Sequence, residues 1–156
     1  MKISNWGKRT NVRVTAFDLD GNIKDVQEFC NLLTTVGKAM VIDLLDGSIA
    51  DGEIKYMAVG SDSTAPAITD TTLVAETFRK VMTTQTQPTT ITLLSVVYIA
   101  PAEAVGAIEE IGWFAGAAAG AGADSGIMVS RVLYSRNKTA LESLQVERTD
   151  SISEVI

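Results

Sequence analysis

Short segments of alternating apolar and polar residues recur along this chain at intervals of about ten residues, with turn residues between them. Asn11 to Phe17 is the clearest of them. Val12, Val14 and Ala16 face one way, and Arg13, Thr15 and Phe17 the other. Side chains alternate across a strand with period two, so a segment of this kind can bury one face and leave the other in water. Asp18-Leu19-Asp20-Gly21-Asn22 follows as a turn cluster, and Ile23 to Phe29 resumes an imperfect alternation. Together they predict a β-hairpin.

The same reading predicts strands over residues 54–59, 78–86, 90–99, 107–114, 127–134 and 140–149, where Val, Ile, Thr and aromatic residues gather. Pro88 is expected in a turn, Ala115 to Gly126 as a loop of small residues, and Ser135 to Lys138 as the turn before the last strand. Residues 31–46 change period. Leu32, Leu33, Val36, Met40, Val41, Leu44 and Leu45 form a helical stripe, with Asn31 as the expected N-cap and Gly47 as the stop. Asp70 is placed to cap a second, short helix over about 70–77. About eight strands with one clear helix favour a mainly β fold, an antiparallel β-sandwich or partly open barrel carrying that amphipathic helix. The 156 residues suit one domain spanning 1–156, with 1–10 as an N-terminal arm and 150–156 as a C-terminal tail.

Composition narrows the chemistry. The sequence holds no histidine, which removes Ser-His-Asp and Cys-His catalysis and His-based zinc sites. Cys30 is the one cysteine, so no internal disulfide can form. Net charge is −6 and the longest basic feature is Lys8-Arg9, too little to track a phosphate backbone, so no nucleic-acid partner is expected. The first residues lack the apolar core of a signal peptide, and no stretch reaches the roughly 18 apolar residues of a membrane span. Synthesis in the cytoplasm without a signal peptide, and no membrane partner, are the expectations.

Val14-Thr15-Ala16-Phe17-Asp18-Leu19-Asp20-Gly21-Asn22 resembles the first motif of haloacid-dehalogenase-type phosphatases. That resemblance implies a Mg²⁺ site with Asp18 as nucleophile and Asp20 as acid/base. Asn22 stands where that family has Thr, a strand rather than a helix is expected next, and the alternating α/β layout is missing. A hairpin turn accounts for the same residues, because Asp-Gly and Gly-Asn suit two-residue turns. Asp18, Asp20 and Asn22 also imitate half a calcium loop, without the closing Glu. Gly120, Gly122 and Gly126 imitate a phosphate loop without its Lys or the helix N-terminus. Glu109-Glu110, Trp113-Phe114 and Tyr56-Met57 are neighbours on expected strands, so each pair splits between opposite faces.

Four segments, in order, resemble the N-terminal domain of phage tail-collar fibre proteins and small free-standing proteins related to it. They are Ile54-Lys55-Tyr56-Met57-Ala58-Val59-Gly60, Asp70 to Lys80, Ile108 to Phe114, and Gly126-Ile127-Met128-Val129-Ser130-Arg131. Trp113-Phe114 replaces the Leu-Phe of that pattern, and no fibre shaft follows in this sequence. The resemblance implies a non-enzymatic structural protein of a tailed-phage virion, in the tail, neck or baseplate, or alternatively a capsid decoration protein. It implies no cofactor. The expected partners are other copies of the chain in a ring or trimer and other phage structural proteins, with a receptor glycan as a further ligand to test. Glu76 and Arg79 are spaced to pair if the short helix continues. Trp6, Tyr56, Arg79, Trp113 and Phe114 are the expected partner contacts, since aromatic and Arg residues dominate interface energetics.

Overall fold

A computed structural model describes residues 5–155, with side chains described for 10–153. Its strands are β1 (Asn5–Asp18), β2 (Ile23–Cys30), β3 (Leu32–Leu33), β4 (Ile54–Gly60), β5 (Glu76–Val81), β6 (Thr84–Thr89), β7 (Thr92–Ile99), β8 (Gly106–Ala115), β9 (Ile127–Lys138) and β10 (Glu142–Val155), with helix α1 (Thr35–Asp46) between β3 and β4. They form two five-stranded sheets, ordered β2-β1-β10-β7-β6 and β3-β9-β8-β4-β5. Every described strand pair is antiparallel. The sheets stack without closing, so the fold is the β-sandwich and not the barrel.

Alternation builds the core as the sequence requires. Val12, Val14 and Ala16 from β1, Leu144 and Val146 from β10, and Val97 and Ile99 from β7 point inward from the first sheet. Met57 and Val59 from β4, Ile111 and Trp113 from β8, and Val132 and Tyr134 from β9 meet them from the second. The opposite row of the second sheet, including Ala58, Phe114 and Met128, forms a separate small cluster with Leu73. Two loops, 61–75 and 116–126, run alongside that outer face.

Several expected boundaries move. Helix α1 is capped by Thr34, not Asn31: the Thr34 hydroxyl accepts the Gly37 amide at 3.0 Å, and Gly47 closes the helix at φ 79°. Asn31 is drawn away because Leu32 and Leu33 pair with Arg131 and Ser130 as an edge strand. No second helix exists at 70–77. Asp70 is instead held by the Arg131 guanidinium, and Glu76 already begins β5. The expected strand over 78–86 is two strands in different sheets. The Met82 amide donates to Lys55 of the second sheet, and the next amide, Thr83, donates to Val96 of the first. Pro88 lies within edge strand β6, beside its register shift, where a missing N–H costs no ladder bond. Residues 135–138 continue β9, and the turn falls at 139–141. Within the expected arm and tail, residues 5–10 and 150–155 are strand. Asn5–Lys8 pair with Ile152–Val155, extending β1 and β10 as a two-stranded ribbon beyond the ends of β2 and β7.

Candidate functional site

The four segments singled out by sequence meet on the outer face of the second sheet. β4 carries Tyr56, Ala58 and Gly60 there, β8 carries Glu110, Gly112 and Phe114, and β9 carries Met128 and Arg131. Two ion clusters join them to the loops.

In the first cluster Glu110, fully buried, accepts the Val74 amide at 3.2 Å, the Ala75 amide at 2.9 Å and Arg131 Nε at 2.7 Å. The remaining Arg131 nitrogens donate to Asp70 at 2.9 Å and to the Thr64 carbonyl at 2.8 Å. Arg131 and Glu110 together therefore tie β9 and β8 to both ends of loop 61–75, and the fork of the guanidinium suits its share of that role. Gly60 makes room for it: a Cβ there would lie 2.3 Å from Glu110 Oε1 and 2.6 Å from the Ala75 carbonyl oxygen. Gly112 likewise clears space for Leu73, whose Cδ2 would lie 2.9 Å from an added Cβ.

In the second cluster Arg79 grips Glu76 with Nε and Nη2, at 2.7 and 2.8 Å, and donates through Nη1 to the Ser125 carbonyl at 2.9 Å. Its guanidinium lies over the Phe114 ring, 4.0 Å from the centroid. The Glu76–Arg79 pair thus forms from a strand and not from the expected helix. Arg79 pins loop 116–126, whose Ser125 hydroxyl closes on the carbonyls of Gly120 and Gly122. The amides of Gly120, Asp124 and Ser125, the kind of group a phosphate loop would offer, donate instead to Ser125 Oγ, the Glu76 carboxylate and the Gly122 carbonyl.

The expected contact residues separate on this basis. Phe114 and Trp113 face opposite sides of β8, as alternation requires, but both are fully buried by this chain itself. Arg79 is nearly as enclosed. Neither ring nor the guanidinium stands at a surface, which corrects their reading as contact anchors. Tyr56 is half-buried beside Arg79. The Trp6 side chain lies outside the described residues. A third cluster lies between the sheets, where Arg148 stacks 5.3 Å from the Trp113 ring, grips Asp150 and reaches Ser130 Oγ.

Asp18 and Asp20 sit in the β1–β2 hairpin turn. Asp18 accepts the Asp20 and Asn22 amides and the Asn22 side chain, and these bonds hold its carboxyl below the usual carboxylate range. β2 follows in the first sheet, paired antiparallel with β1, where the phosphatase layout needs a helix. Among the described residues no three Cys, Asp or Glu side chains gather into a cation-binding group.

At the opposite end of β9, Glu142 accepts Arg136 Nε and Nη2 at 3.0 and 2.7 Å and Lys24 Nζ at 2.8 Å. The Arg136 bonds come first among the causes that push its carboxyl down to about 2. Lys138 is buried against the Ala100 and Pro101 carbonyls, and burial lowers its pKa. Glu110 and Arg131 stand in sequence as charges among the apolar residues of their strands, and only the packing of loop 61–75 over the outer face brings them their partners.

The arrangement defines an antiparallel β-sandwich whose buried charges are spent on holding its own loops. No family model, curated protein or solved structure matches the chain. No described helix is long and apolar enough to cross a membrane.

Proposed function

We propose that this chain is a non-enzymatic, assembling subunit of a tailed-phage virion, in its tail, neck or baseplate region. The observation that carries the reading is the convergence just described. Four segments that resemble the tail-collar pattern, spread over residues 54–131, come together on one sheet face around Arg79, Glu110 and Arg131. A pattern held together in space by its own ion pairs is a folding unit, and its polar groups are consumed within the chain.

The outer surface suits assembly. Val41, Ile91 and Ile152 are exposed aliphatic side chains lining one open groove. Large exposed apolar residues gathered together favour association over solvation. The β1–β10 ribbon projects from the sandwich, and a two-stranded ribbon is only marginally stable in water without a neighbour.

The test is peptide mass spectrometry and immunogold labelling of tailed particles purified from a culture producing the chain. Stoichiometric presence at the tail, neck or baseplate is the expected result. Absence from the particles overturns the reading, and label over the head shell moves it to capsid decoration. A Mg²⁺-dependent phosphate-ester hydrolysis that disappears in Asp18→Asn would overturn its non-enzymatic part.

A further inference from the structure

Helix α1 buries one side and leaves the other bare. Met40 is buried in the core, and Gly37 lies against β9, where an added Cβ would meet the Val129 carbonyl oxygen at 2.5 Å. On a wheel of 3.6 residues per turn, Ile42 lies about 160° round from Met40, at the centre of the outward side. Ile42 is 61% exposed and Leu45 74%. Lys38 and Asp46 stand about one turn before and after Ile42, and both are exposed. The Lys38 ammonium makes no ion pair or hydrogen bond with a described residue, and the Asp46 carboxylate accepts the Ser48 side chain and amide but pairs with no described cation. The bare side continues through Val41 into an open groove shared with Ile91, Leu93 and Ile152 at the end of the first sheet.

We infer that this side of α1 is a two-fold contact with a second copy of the chain, the two helices packing antiparallel about Ile42. The contact rests on the assembling-subunit reading and names one of its interfaces. Charge decides the occupant and the direction. A two-fold axis at Ile42 exchanges positions equally far before and after it, so Lys38 of each copy meets Asp46 of the other. Parallel packing would set Lys38 against Lys38. Antiparallel helices also oppose their dipoles favourably. Exposed Ala39 leaves space beside Ile42 for close approach. The contact is isologous, so it closes on itself as a pair, and added to a ring it joins two rings back to back.

The test measures the mass of the full chain by sedimentation across a concentration series, with circular dichroism confirming that each variant folds. Wild type is expected to form pairs or multiples of pairs, and Ile42→Glu to weaken pairing at least a hundredfold. Lys38→Asp alone weakens it about tenfold, and Lys38→Asp with Asp46→Lys restores it. In a Cys30→Ser background, Ile42→Cys is expected to form a disulfide-linked dimer under mild oxidation, because a residue near the axis meets itself. A monomeric wild type, or an assembly unchanged by Ile42→Glu and not linked through Ile42→Cys, overturns the contact, including where another protein covers α1. Finding the chain in virions without Ile42 cross-linking overturns this contact alone. A pair through Ile42 with the chain absent from particles overturns the virion reading and leaves the contact standing.

Discussion

The Arg79 guanidinium lies over Phe114, 4.0 Å from the ring centroid, while two of its nitrogens hold the Glu76 carboxylate. The arrangement joins a cation–π contact to a forked ion pair in a place where both charged side chains are about 95% removed from solvent.

Removing the arginine therefore strands a buried carboxylate. Arg79→Ala is expected to cost about 3–5 kcal/mol, the usual penalty for breaking a buried pair. Arg79→Lys should recover less than half of that, since an ammonium cannot make the forked bond or stack on the ring in the same way. Urea unfolding of the three proteins measures both. A loss below about 1 kcal/mol for Arg79→Ala would show that the pair is not the anchor described.

Glu110→Gln should loosen loop 61–75 before it unfolds the sandwich. The variant weakens the charge-assisted bonds to Arg131 and to the Val74 and Ala75 amides. Hydrogen exchange should accelerate at those two amides more than at the amides of β1 or β10. Unaltered protection at Val74 and Ala75 would contradict the proposed fastening of the loop.

Gly37→Ala sets two effects of known size against each other. Alanine favours the helix by about 1 kcal/mol. Its Cβ would lie 2.5 Å from the Val129 carbonyl oxygen and 2.7 Å from Val129 Cα, both backbone atoms that cannot swing away. Overpacking of this kind costs about 1–3 kcal/mol, so a lower melting temperature is expected. A rise in melting temperature would mean that α1 shifts freely on β9.

Acid should weaken the fold through Glu142. Its carboxyl titrates near 2 in the folded chain and near 4.5 without its partners. The unfolded chain therefore binds the proton first as pH falls. The stabilisation, on the order of 3 kcal/mol, is complete above about pH 5 and disappears as pH drops toward 2. Urea midpoints for wild type and Glu142→Gln should differ most at pH 7, with the difference down to about a quarter at pH 2.5 and gone below about pH 2. Equal differences at both pH values would remove Glu142 as the cause.

Much of the architecture was legible from local pattern. Val12, Val14 and Ala16 alternate in sequence and share the core in space, because the strand period is two whatever the strand later pairs with. The hairpin at Asp18–Asn22 follows from its own turn residues. The separation of Trp113 from Phe114 was equally readable. Their common burial was not, since Phe114 is covered by loops 61–75 and 116–126, whose positions depend on Arg131 and Arg79.

What the sequence alone determined was the class of fold, through side-chain periodicity and turn chemistry that act over a few residues. It determined as well that no histidine-dependent chemistry can occur here. Tertiary structure decided where extended backbone changes partners. Between Met82 and Thr83 the chain bends from one sheet to the other with no Gly or Pro to mark the crossing, so residues 78–86 look like one strand. It also decided which charges are internal: Lys138 and Arg136 look like turn residues until Ala100, Pro101 and Glu142 are brought to meet them. A local pattern records which way a side chain points, whereas its partner comes from a distant part of the chain and is chosen only when the sheets pack.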